Sequence, residues 1–132
     1  MKTSKVYKLF LLITIVSFSL CGIAQNNNEV FTVVEDSPSF IGGDAAMSQF
    51  LIKNLQYPAE ALEKNIQGTV YISFIVEPDG AISNISIKRD IGYGCGAEAM
   101  RVVKSMPKWK PGKQRGKTVR TQMLLPISFK LS

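Results

Sequence analysis

The sequence predicts an α+β fold in two layers: a small three-stranded antiparallel sheet with helices packed on one of its faces. Three observations predict it. Residues 69–88 read as a β-hairpin about a Pro-Asp-Gly turn. Residues 95–106 carry one apolar stripe at helical spacing. Residues 119–129 alternate apolar and polar side chains. A helix that returns the chain to a third strand beside a hairpin leaves the helices on one side of the sheet.

The elements follow in order. Residues 1–24 have the layout of a secretory signal peptide, with Lys2, Lys5 and Lys8, an apolar run from Leu9 to about Leu20, and Gly22 and Ala24 at the small-residue cleavage positions. A membrane span needs roughly 20 apolar residues, and Thr14, Ser17 and Ser19 interrupt this shorter run. Export with cleavage near Ala24 is therefore expected. The alternatives are a lipid anchor on Cys21 or retention in the inner membrane by an uncleaved leader. Residues 25–39 form an extended lead-in, in which Val30 to Glu35 has strand composition and Asp36-Ser37-Pro38 stops it.

The domain proper spans residues 40–132. Phe40 anchors it and Gly42-Gly43 supplies a turn. Asp44 is placed to cap a helix from Ala45, with Met47, Phe50, Leu51 and Leu55 on one face. Pro58 suits the first position of a second short helix, which Asn65 and Gly68 close. Val70, Ile72, Phe74 and Val76 form the apolar face of the first long strand, and Glu77-Pro78-Asp79-Gly80 turns the chain into a return strand bearing Ile85 and Ile87. Cys95, Ala99, Val102, Val103 and Met106 make the stripe of the next helix, which Pro107 ends. After a basic loop, Val119, Thr121, Met123, Leu125, Ile127 and Phe129 face one way along a long final strand.

Composition narrows the function. Sixteen basic and ten acidic residues give +6, of which the leader supplies three, so +3 remains in the exported part. That is a weak footprint for nucleic acid. Only Cys95 lies outside the leader, so no internal disulfide is expected. The chain has no histidine, which removes the commonest general base and metal ligand. Cys95 lies on an apolar stripe without a base beside it, Glu60 and Glu63 read as solvated, and Glu35 and Asp36 face opposite ways in a strand. The glycines at 92, 94 and 96 read as turn geometry rather than a phosphate loop, since no parallel strand precedes them. No enzyme activity, catalytic residue, metal, cofactor or small-molecule substrate is expected.

Several stretches in order carry a family resemblance: Phe40-x-Gly42-Gly43; Tyr57-Pro58-x-x-Ala61; Gly68-x-Val70-x-Ile72-x-Phe74-x-Val76; Asp79-Gly80; and Cys95-x-x-Glu98-Ala99-x-Arg101-Val102-Val103. They continue with Met106-Pro107-Lys108-Trp109-x-Pro111-Gly112, Gly116-Lys117-x-Val119 and Leu125-Pro126-Ile127-x-Phe129. Together they resemble the C-terminal domain of TonB in its Bacteroidetes-type form. The resemblance covers roughly Val30 to Leu131 and is to a stand-alone version, because the membrane anchor and Pro-rich spacer of a full TonB are not expected in this sequence; Ile41 stands where the family often has proline. It implies a periplasmic domain that grips a short peptide of TonB-dependent outer-membrane transporters by adding it as a strand beside the last strand, and so takes part in energy-dependent transport.

One feature of the residues points the same way. Pro126 cannot donate a ladder hydrogen bond, so the final strand is expected at an edge or to be locally irregular. An edge strand is open to β-augmentation; the alternative is that Pro126 serves to protect the edge from aggregation, and one proline can serve both. The expected protein-binding residues are Thr121, Gln122, Met123, Leu124, Leu125, Ile127 and Phe129 along that edge, with Lys113, Arg115 and Lys117 steering acidic peptides. The expected partner is a TonB-dependent outer-membrane transporter or a related envelope protein. The alternative is a structural or assembly role in which the same edge pairs with a second copy as a homodimer.

Overall fold

The computed structural model describes residues 28–132. The expected leader with its cleavage site near Ala24, and Cys21, lie outside the described residues. The element order is β1 (Val30–Phe31), α1 (Gly43–Asn54), α2 (Ala59–Glu63), β2 (Gly68–Val76), β3 (Ile82–Arg89), α3 (Cys95–Lys104), β4 (Gly112–Gln114) and β5 (Lys117–Phe129). The fold is α+β as expected. The sheet has five strands rather than three, in the order β1-β5-β2-β3, with β4 paired to β5. Its three long strands are the antiparallel trio expected from the sequence. The two additions are short pieces whose two or three residues carry no alternation to read: β1 lies parallel to β5, and β4 folds back on the start of β5.

Period-two patterning places the core. Val70, Ile72, Phe74 and Val76 are fully buried, and across from them Thr121, Leu125, Ile127 and Phe129 are at most 7% exposed. The β5 ladder runs without a break from Gly68 opposite Phe129 to Val76 opposite Thr121. In β3 strict alternation would put Ile82 on the face opposite Ile85 and Ile87. Asn84 has φ +49°, and the register shifts by one between Ser73 and Ile75. This bulge resets the phase, so Ile82, Ile85 and Ile87 all pack against the core.

Helix α3 closes that core with Cys95, Ala99, Val102 and Val103, each fully buried. Its entry is fixed by Asp90, whose Oδ1 accepts the N–H of Gly92 (2.9 Å) and of Gly96 (3.0 Å). Helix α1 starts at Gly43 behind Gly42, which has φ +93°, and no side chain caps it. The expected Asp44 cap is therefore replaced by Asp44 in the first turn, where its charge suits the helix dipole. Pro58 stands just before α2 rather than inside it. The helix ends as expected on Asn65, with φ +53° and Ile66 N–H returning to Ala61 O.

Trp109 occupies the end of the core. It is 4% exposed and meets Phe40 and Phe74 edge-on at ring-centroid distances of 5.8 and 5.2 Å. Its backbone N–H donates to Gly80 O at 2.8 Å, which ties the basic loop to the β2–β3 turn. The lead-in returns to the domain through two bridges, Asp36 with Lys113 and Ser39 with Lys110, before Phe40 plugs into the core.

Candidate functional site

β5 is the longest strand, and its two sides are used differently. The inner side pairs with β2 along nine residues, Thr121 to Phe129. On the outer side, Val30 lies opposite Arg120 and Phe31 opposite Thr121. Beyond Thr121 no strand among the described residues lies along that side. The edge expected from the sequence is thus open from Gln122 onward, and Thr121 must be removed from it. Its outer position is taken by Phe31, and its hydroxyl is turned to the buried face, donating to Val119 O at 3.2 Å.

The remaining expected residues fall into two rows because successive side chains point to opposite faces. Met123, Leu125, Ile127 and Phe129 lie on the core face and are half-buried or buried, so what they offer at the edge is backbone. Gln122, Leu124, Pro126 and Ser128 lie on the open face. Leu124 is 57% exposed, and Gln122 Nε2 donates to Ser73 Oγ at 3.2 Å. Pro126 keeps its place opposite Tyr71 without breaking the ladder register.

Lys113, Arg115 and Lys117 are exposed on the β4–β5 hairpin. Arg115 forms the tip with φ +53°, followed by Gly116 with φ +75°. These cations sit at the amino-terminal end of β5 only. At about 3.3 Å per residue, Lys117 lies roughly 17 Å of strand from Gln122 and about 40 Å from Phe129, several screening lengths away at physiological salt. Their influence is confined to one end of the edge. No acidic residue follows Glu98, whereas Arg101, Lys104, Lys108, Lys110, Lys113, Arg115, Lys117, Arg120 and Lys130 do, the last of them just past the carboxyl end of β5.

Arg120 holds the junction between lead-in and edge. Its guanidinium contacts both carboxylate oxygens of Glu77 (2.8 and 3.1 Å), and its Nη1 reaches Asn28 O at 3.2 Å. Glu77 also accepts from Ser83 Oγ at 2.5 Å. The Arg120 guanidinium, helped by the Ser83 hydroxyl, holds the Glu77 carboxyl below its ordinary range. No sequence spacing links positions 28, 77, 83 and 120, so this network was not legible before folding.

A second ion pair braces the helices. Glu98 takes Arg101 at 2.8 Å and the Gln56 N–H at 2.7 Å, while Arg101 Nη2 donates to Asn54 O at 2.9 Å. Arg101 first, then the Gln56 amide, lowers the Glu98 carboxyl. Cys95 lies buried beneath, its thiol pushed up by burial and by the charge of Asp90. Among the described residues no three His, Cys, Asp or Glu side chains converge on a common point, and no helix is long and apolar enough to cross a membrane.

These features define a class: a two-layer α+β domain whose long terminal strand is paired on one side and partly open on the other. The chain belongs to the family of the Gram-negative bacterial TonB protein C-terminal region, whose model matches residues 53–131. Among solved structures, the solution structure of the Helicobacter pylori TonB C-terminal domain is similar over 65% of this chain and 90% of that one, at 21% identity and a TM-score of 0.48. No curated protein matches the chain.

Proposed function

We propose that this protein is a TonB-type protein-binding module of the bacterial envelope. It takes an extended peptide of a TonB-dependent outer-membrane transporter, or of a related envelope protein, as an added strand on the outer side of β5 from Gln122 to Phe129. It acts in the periplasm once the leader is removed near Ala24, and in the service of energy-dependent transport. One observation carries the reading: the outer side of β5 has no strand beside it, among the described residues, past Thr121. Main-chain groups on such an edge give affinity, and alternate side-chain positions give selectivity.

Family membership supports the class of partner. The run of cations without acids after Glu98 supports an acidic peptide, drawn in at the hairpin end by Lys113, Arg115 and Lys117. Rim charges of this kind act on the association rate and its salt dependence more than on the bound state.

The test is a titration of the isotope-labelled protein with eight-residue acidic, β-branched peptides, read by amide hydrogen exchange. Protection that rises along Gln122 to Phe129 supports strand addition. A triple Lys113→Glu, Arg115→Glu, Lys117→Glu variant should associate several-fold more slowly at low salt with little change in dissociation rate. Binding that leaves the exchange of Gln122 to Phe129 untouched would sink the reading. So would a protein of twice the chain mass at micromolar concentration that refuses every peptide, since the edge would then join two copies.

A further inference from the structure

The lead-in contains more strand-forming sequence than the sheet uses. Five consecutive residues, Val30 to Val34, are β-branched or aromatic and stand between Glu29 and Glu35. Only the first two are paired to β5. Val33 is 84% exposed. After Phe31 the chain bends away to β4. There Asp36 and Lys113 exchange two backbone hydrogen bonds (3.1 and 2.9 Å), and Ser39 and Lys110 exchange two more (3.1 and 2.8 Å). The Glu35 N–H donates to Gln114 Oε1 at 3.0 Å. The departure falls where the open side of β5 begins.

Continuing the observed parallel register past Phe31 and Thr121 sets Thr32 beside Gln122, Val33 beside Met123 and Val34 beside Leu124. Thr121 points to the core, so Val33 and half-buried Met123 would share that face, with the other two pairs on the open face. Each pair matches in polarity. The most exposed apolar groups of the two segments, Val33 at 84% and Leu124 at 57%, would come under cover. A slip of one residue would set valine against Gln122 and reverse every face.

We propose that Thr32–Val34 is a built-in occupant of the β5 edge, a strap that closes onto Gln122–Leu124 once Asp36 releases Lys113 and Ser39 releases Lys110. Five residues, Glu35 to Ser39, then separate Val34 from the buried anchor Phe40, about 20 Å of extended chain. Closure exchanges the lead-in's hydrogen bonds to Lys110 and Lys113 for ladder bonds to β5 and covers two exposed apolar side chains. Its consequence for outside peptides rests on the strand-addition reading, because a closed strap takes the first part of that edge. The lead-in precedes the residues matched by the family model.

Disulfide trapping tests the strap without any partner. In the full chain, with Cys21 and Cys95 replaced by Ala, Val34→Cys is combined with Leu124→Cys, or with Ser128→Cys as a control beyond the strap's register. Mild oxidation should link 34 to 124 within one chain and leave the control free. Failure of the 34–124 link, equal linking of the control, or a link only between two chains overturns the proposal.

The second arm uses a synthetic peptide of residues 29–35 as probe against the unmodified protein and against Val33→Lys, a change at an exposed position. A strap closed half the time or more halves the apparent affinity or worse, so disabling it should tighten probe binding by about two- to tenfold. Equal binding to both proteins overturns the strap and leaves strand addition standing. A 34–124 link together with no probe binding to either protein upholds the strap as an edge contact and sinks the strand-addition reading.

Discussion

Replacing Gly80 with Ala tests how the basic loop is locked to the sheet. Gly80 has φ +88°, and a Cβ there would lie 2.2 Å from the backbone O of Trp109. The left-handed conformation alone costs an L-residue about 1–2 kcal/mol. The contact adds more, because ordinary approach needs more than another 1 Å and the obstacle is main chain. Trp109 cannot yield freely: its backbone N–H is bonded to Gly80 O at 2.8 Å, its ring is wedged between Phe40 and Phe74, and Lys110 is bridged to Ser39. A loosened Trp109 forfeits part of what its burial contributes, and removing such a ring outright costs about 3–5 kcal/mol. The expected loss is about 3–4 kcal/mol, or some 15 °C or more in Tm for a domain of this size.

Gly92 supplies the control. It has φ +81° and nothing within 4 Å of its would-be Cβ, so Gly92→Ala isolates the conformational cost. Equilibrium urea unfolding of both variants, followed by the fluorescence of the single tryptophan, gives the difference directly. If Gly80→Ala loses no more stability than Gly92→Ala, the close approach of loop and turn is not what holds Trp109 in place, and the packing argument fails.

Two further outcomes follow from the ionisable groups. Glu77 has its carboxyl pKa lowered by Arg120, so the stabilisation is complete above the unfolded carboxyl value near 4.5 and fades as pH falls through the folded value below it. Thermal melts of wild type and Glu77→Gln should therefore differ by about 3–5 °C near neutral pH and converge well below pH 4; a gap that persists in acid would remove ionisation as its cause. Cys95, buried with its thiol pKa raised, should resist thiol reagents in the native protein at pH 8 and react on unfolding. Cys95→Ala should cost about 1 kcal/mol with peptide binding intact, and a loss of binding with the fold retained would assign the thiol a role beyond packing.

Local pattern was enough for much of this protein. The alternation in residues 70–76 and 119–129, the helical stripe from Cys95, and the Pro78-Asp79-Gly80 turn each encode their structure within a few neighbours, because period and turn chemistry are properties of the backbone itself. The family, too, was readable from ordered short motifs, and the match over residues 53–131 bears it out. The contacts of Trp109 with Phe40 and Phe74 came only with the fold.

Pairing between distant segments was decided by the tertiary structure. Val30 to Glu35 reads as one strand, yet it pairs for two residues and then turns away, because Asp36 and Ser39 find backbone partners in Lys113 and Lys110. The state of the β5 edge depends on that choice, so the sequence could nominate Thr121 to Phe129 but could not remove Thr121. Asn84 illustrates the same limit, since a bulge is a disagreement in register between two strands and neither one contains it alone. What a residue does for its own stretch of chain is written in its side chain and its neighbours; which backbone groups remain unpaired is settled only after every segment has competed for every partner.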